Sequence, residues 1–196
     1  MVPAAVSAFN LSGGVVLTSP RDAGANVMPL PTLSARFVTG ITRSLDLRVR
    51  YDTVLGLTHR VGLEARATLW RSEHWALALS AIPSAQIAVM PYHGLYTNGD
   101  VSTHASVLIT ARTPSLALTL EGGATVRWMV IDYAGERTFV DPRPRVGYVD
   151  ASARIEWAMG AWRTLMLGVE VSVATNTEES LGGTYPRLFF GGTWSR

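Results

Sequence analysis

Leu45-Asp46-Leu47-Arg48-Val49-Arg50-Tyr51-Asp52 alternates without error: Leu45, Leu47, Val49 and Tyr51 fall on one face of a strand, and Asp46, Arg48, Arg50 and Asp52 on the other. One face favours leaving water and the other resists it. The same alternation recurs on both sides of this stretch along nearly the whole chain.

Toward the N-terminus, residues 6–18 read as a strand, and the three prolines, Asp22 and Gly24 of 19–31 as a long loop. A strand over 32–41 follows, joined to the opening one by Thr42-Arg43-Ser44 alone, which predicts a tight hairpin. Toward the C-terminus, strands are predicted over 60–70 and 75–90, with Pro83 marking a bulge or bend because it cannot donate to a ladder. Residues 91–103, with Asn98-Gly99-Asp100, read as a loop before a sixth strand ending near Arg112. A long strand from Leu116 through Trp128 gives way to a polar, proline-bearing loop over 133–147. Three further strands carry Val149 to Trp157, Leu165 to Val173, and Tyr185 to Trp194. The sum is ten antiparallel strands, with four connections of a few residues at one end and five mostly longer ones at the other. One closed up-and-down β-barrel domain over residues 1–196 fits this all-β pattern.

Composition sharpens the expectation. Hydrophobic residues make up 47% of the 196 and charged ones 16%. The best apolar run, 75–90, is shorter than the roughly 20 residues of a spanning helix and is interrupted by Ser80, Pro83, Ser84 and Gln86. Cysteine is absent, which removes disulfides and thiol chemistry. All 17 bases are arginine, but acids nearly balance them and no Arg-dense run exists, which argues against nucleic acid as a partner. Met1-Val2-Pro3-Ala4 and the residues after them lack a positive n-region and a full apolar h-region; we expect the numbering to begin near a mature terminus.

The even strand number, the one-sided loop lengths and the banding of Trp and Tyr by height resemble the bacterial outer-membrane β-barrel class, with short periplasmic turns and longer outer loops. The resemblance implies an outer-membrane location, contact with lipid and lipopolysaccharide, and interface aromatics at Tyr51, Trp75, Trp128, Trp157, Trp162 and Trp194, with Trp70, Tyr133, Tyr148 and Tyr185 in the same two bands. The final strand departs from the class, since Ser195 and Arg196 follow Trp194. The competing architecture is a soluble ten-stranded lipid-binding barrel with the faces reversed.

With the polar row inside, the lumen holds Arg36, Arg48, Arg50, Arg60, Arg66, Arg127, Arg154 and Arg187 against Asp46, Asp52, Glu64, Glu121, Asp150, Glu156 and Glu170. Ten strands leave little more room than the eight that side chains fill, so this predicts a charge-paired network or a narrow path for small solutes rather than a wide pore. Catalysis has one candidate: His104 and Ser106 share a strand face, with Glu121 on the next strand to orient the histidine. Three residues resemble the outer-membrane lipid A deacylases, and chance explains such a pair as well; no enzyme activity is expected. His93, His104 and Asp100 flank one loop but match no ligand spacing, so neither metal nor cofactor is expected. Tyr92, Tyr96, Arg137, Phe139, Arg143 and Arg145 give the loops a surface that could contact a protein partner or lipopolysaccharide.

Overall fold

The computed structural model describes residues 7–18, 28–54, 58–90, 96–134, 137–160, 163–175 and 184–195. Strands β1 (Ser7–Thr18), β2 (Met28–Gly40), β3 (Leu45–Val54), β4 (Thr58–Arg71), β5 (Trp75–Met90), β6 (Tyr96–Arg112) and β7 (Leu116–Ala134) pair antiparallel in sequence order. β7 then pairs with β9 (Arg145–Ala158), followed by β10 (Arg163–Ala174) and β11 (Thr184–Ser195). The ring closes where β11 meets β1, from Ala8 opposite Ser195 to Val16 opposite Arg187. Ten strands form the barrel. An eleventh, β8 (Arg137–Asp141), pairs with the far end of β7 as a hairpin beyond the ring.

The alternation in the sequence becomes the two surfaces of the wall. Val169, Leu118 and Phe190 on the outer face are 46%, 40% and 65% exposed, whereas Ser12, Ser34, Glu64, Ser80, Ser102 and Ser106 on the inner face are buried. A soluble barrel with an apolar core would show the reverse. From Leu116 to Trp128 on β7 the outward row covers about 40 Å of strand at about 3.3 Å per residue, or roughly 28 Å of height at a tilt of about 45°. That matches a bilayer's hydrocarbon core of about 30 Å.

The strands reach further than the local sequence signals. Asn98-Gly99-Asp100 is not a turn but part of β6, opposite Ala88, Ile87 and Gln86. Asn98 and Asp100 belong to the polar inner row, so their polarity marks the lumen and not solvent. β2 likewise begins at Met28 and includes Pro29 and Pro31, which lie beyond the start of the β2–β3 ladder at Thr32 opposite Val54. Part of the polar segment after Tyr133 is strand β8.

Pro83 causes no bulge: β5 stays in register with β6 from Trp75 to Met90. The shifts lie elsewhere. One, between Thr68 and Trp70 on β4, turns Trp70 outward although simple alternation would aim it inward. The second, at Trp128, leaves that residue on the outer face and returns Val130 to the lumen. A third accommodates Gly147 on β9.

Candidate functional site

The inner face of β2–β4 is rich in arginine. Arg48 sits between two carboxylates, with its Nη2 3.5 Å from Asp46 Oδ2 and its Nη1 3.7 Å from Glu64 Oε1. Ser80 Oγ donates to the same Glu64 oxygen at 3.1 Å. Arg50 Nε binds Asp52, whose other oxygen accepts from Ser34 Oγ. Arg187 on β11 donates to Ser34 Oγ at 2.9 Å and approaches Glu170 Oε2 at 3.8 Å, and Ser172 Oγ lies 3.4 Å from the other Glu170 oxygen. This continuous chain of polar contacts links β3, β2, β11 and β10 across the β1 strand.

Arg36 pairs across the ladder with Arg50 and has no hydrogen bond or ion pair among the described residues. Arg60 Nε donates to Ser84 Oγ at 3.0 Å, and Ser84 Oγ lies 3.2 Å from Ser102 Oγ. Arg66 faces inward opposite Asp46 and Ser80 without an ion pair among the described residues. On the opposite wall Arg154 Nε lies 2.6 Å from Glu156 Oε1. Arg127 donates to Tyr148 OH at 3.0 Å with its guanidinium 5.0 Å from that ring's centre.

His104 occupies the inner face of β6, over Gly123 of β7. A Cβ at Gly123 would come within 2.6 Å of the imidazole, so glycine makes the space the ring fills. His104 Nδ1 is 3.4 Å from Asp150 Oδ2 and 3.2 Å from Thr125 Oγ1, and Nε2 is 3.9 Å from Glu121 Oε1. Ser106 Oγ donates to Glu121 Oε1 at 2.7 Å. A nucleophilic serine would have to donate to the histidine; here its proton goes to the carboxylate. The cluster also faces the lumen, while acyl chains of membrane lipid would lie outside the wall. Asp100 is part of the inner wall instead of a loop, His93 lies outside the described residues, and no three metal-ligating side chains converge among those described.

Of the interface aromatics, Tyr51, Trp75, Trp128, Trp157 and Trp194 are on the outer face, as is Trp70; Trp162 lies outside the described residues. Trp194 is 6.4 Å from Phe9, and Trp128 Nε1 donates to Thr103 Oγ1 at 2.8 Å. Tyr148 and Tyr185 do not join the outer band: both face inward and meet edge to face at 6.3 Å near the long-loop end. Several inner-wall residues escaped the sequence reading. Asp132, which accepts from Asn98, lies between the strand read through Trp128 and the loop read from 133; Phe189, 5.7 Å beneath the Arg187 guanidinium, sits in a Phe-Phe pair whose alternation places it inside.

Among the loop residues, Asp141 at the end of β8 accepts from Arg143 Nε at 2.9 Å and from its backbone N–H at 3.2 Å, with Arg145 Nη1 3.7 Å away. The Arg143 hydrogen bonds hold this exposed carboxyl below its ordinary pKa. Phe139 and Arg143 are exposed; Tyr92 lies outside the described residues.

No protein-family model matches the chain, and no curated protein does. Solved structures do match. The porin NanC aligns over 95% of this chain and 98% of its own, with a TM-score of 0.55 and 7% identity. The Escherichia coli outer membrane protease OmpT aligns over 99% and 97%, with a TM-score of 0.55 and 8% identity. The Yersinia pestis attachment invasion locus protein Ail, in complex with the heparin analogue sucrose octasulfate, aligns over 98% and 99%, with a TM-score of 0.51 and 7% identity. The chain has the fold of a bacterial outer-membrane β-barrel. At these identities the likeness is one of fold alone: a porin, a protease and an attachment protein share the same wall.

Proposed function

We propose that this barrel resides in the outer membrane, where its apolar belt contacts lipid and lipopolysaccharide, and that its charge-paired lumen is closed to bulk flow. One observation carries the reading. Most of the paired luminal charges are dry: Arg48, Arg50, Asp52, Arg154, Arg187 and Asp150 are all 20% exposed or less at the side chain and Glu64 only 6%, while Asp46, Glu156 and Glu170 are 30–37% exposed. A water-filled channel would leave such groups wet. The barrel then serves as a membrane scaffold with, at most, a narrow polar path governed by these ion pairs.

A second role in partner binding is favoured by β8. Phe139 and Val140 are 59% and 55% exposed on a strand whose only partner among the described residues is β7. An outer hairpin with an unpaired edge and exposed apolar side chains suits a protein partner that adds a strand.

The test is conductance in a planar bilayer, after a gel-mobility shift has shown that the detergent-folded form exists. We expect folded protein without stable porin-sized steps. Steps that persist with large electrolyte ions would overturn the closed-lumen reading.

A further inference from the structure

We infer that the lumen holds a binding site for a small oxyanion of the phosphate or carboxylate class, centred on Arg36 and completed by Arg50 and Arg60. The inference deepens the luminal reading above and rests on the same inward orientation of the charged row.

Charge balance along this wall is the first support. The inner face of β2–β4 carries Arg36, Arg48, Arg50, Arg60 and Arg66 against Asp46, Asp52 and Glu64. Arg48 takes Asp46 and Glu64, and Arg50 takes Asp52. Arg36, Arg60 and Arg66 are left with no carboxylate within ion-pair distance among the described residues. Buried cations of this kind need a counter-charge or a full set of hydrogen bonds.

Arg36 provides the second. Its Nε is shut off from solvent and has no hydrogen-bond partner. Its neighbour across the ladder is another arginine, Arg50, and like charges placed directly opposite destabilise a sheet. An anion between the two guanidinium groups would turn their repulsion into a bridge.

The surroundings fit a small ligand of that chemistry. Beyond Arg50 the same inner row continues through Gly62, Ser84 and Ser102, short side chains with two hydroxyls. Arg60 reaches this row through its bond to Ser84. Forked guanidinium groups match the oxygen pairs of phosphate and carboxylate, a geometry chloride lacks.

The test is calorimetric titration of inorganic phosphate into the detergent-folded protein, at fixed ionic strength. Wild type is expected to bind saturably, R36Q and R60Q about tenfold or more weakly, and R66Q like wild type. Should R36Q fail the gel-shift assay, R36K keeps the charge, loses the fork and is expected to bind more weakly than wild type. No saturable binding, wild-type affinity in R36Q and R60Q, or an equal response to chloride would each overturn the site. Porin-sized conductance with phosphate binding intact would overturn the closed lumen and leave this inference standing.

Discussion

The arginine-rich face of β2–β4 and the cluster around His104 use charged and hydroxyl side chains in different proportions. On β2–β4 five arginines, the exposed Arg71 at the end of β4 aside, share three carboxylates, and each of those carboxylates lies on the same or the adjacent strand as its arginine. On β6–β9 one histidine lies between two carboxylates, Glu121 and Asp150, with Ser106 and Thr125 completing the contacts. The first wall is short of carboxylates, whereas around His104 the carboxylates outnumber the imidazole, with Arg127 and Arg154 further along the same strands. An excess of charge on one side of a narrow lumen must be met by hydroxyls, by the far wall or by a ligand. Arg60 shows the first solution, donating to Ser84, and Arg36 is where the contacts within the protein stop.

The largest effect should come from Arg48. Arg48→Ala would leave Glu64, the driest carboxylate of the wall, with only Ser80 as a donor. Removing one partner of a buried pair costs about 3–5 kcal/mol, and we expect a loss of that order in urea unfolding from detergent micelles. A loss under about 1 kcal/mol would mean that the site is wet and that the contrast between the walls is not electrostatic.

In the His104 cluster the corresponding change is His104→Ala. Glu121 keeps the Ser106 hydrogen bond, while Asp150 loses the imidazole nitrogen 3.4 Å from its Oδ2. We expect a smaller cost, about 2 kcal/mol, since hydrogen bonds to charged groups contribute roughly 1.5–3 kcal/mol. Ser106→Ala should leave the histidine's contacts in place, because the serine binds the carboxylate and not the ring.

Arg36→Gln should change sign. With phosphate absent, removing one member of the Arg36–Arg50 pair relieves repulsion, and we expect the variant to be as stable as wild type or more so, by up to about 1 kcal/mol. Added phosphate should reverse the order. The same assay thus separates an arginine that is satisfied, Arg48, from one that is not.

How much of this contrast was legible in the sequence depends on which signal carried it. Strict alternation was enough for Leu45 to Asp52 and Leu165 to Val173, because a period of two leaves one choice of face once the apolar row is assigned. It failed where polarity had two meanings. Asn98, Asp100 and Asp132 are as polar as loop residues and sit in the wall, since inside a membrane barrel the hydrophilic side of a strand is its interior. It failed again at the Thr68/Trp70 register shift, because one extra residue reverses every later side chain and nothing in the local residue types marks the spot. Residues of the inner row could be read in this way, but their partners could not. Arg187 meeting Ser34 depends on the closure of β11 against β1, and Ser106 choosing Glu121 over His104 depends on side-chain placement between β6 and β7 that periodicity does not carry.

The smallest expected effect supplies a wet reference for the luminal pairs. Asp141 and Arg143 on the outer side of β8 use the same carboxylate and guanidinium chemistry, and the Arg143 side chain is 85% exposed. The hydrogen bonds from Arg143 lower the folded-state pKa of Asp141, so their stabilisation is complete above the unfolded-state value, near 3.8, and disappears as the pH falls through the lower folded-state value. Backbone nuclear magnetic resonance between pH 6 and pH 2 should show the Arg143 amide shifting with a midpoint below the ordinary aspartate range. Asp141→Asn should remove that titration without changing the unfolding midpoint in urea, because solvent screens an exposed pair. A large loss of stability in this variant would show that charge pairs outside the lumen matter as much as those inside it, and dryness would then no longer distinguish the walls from the rim.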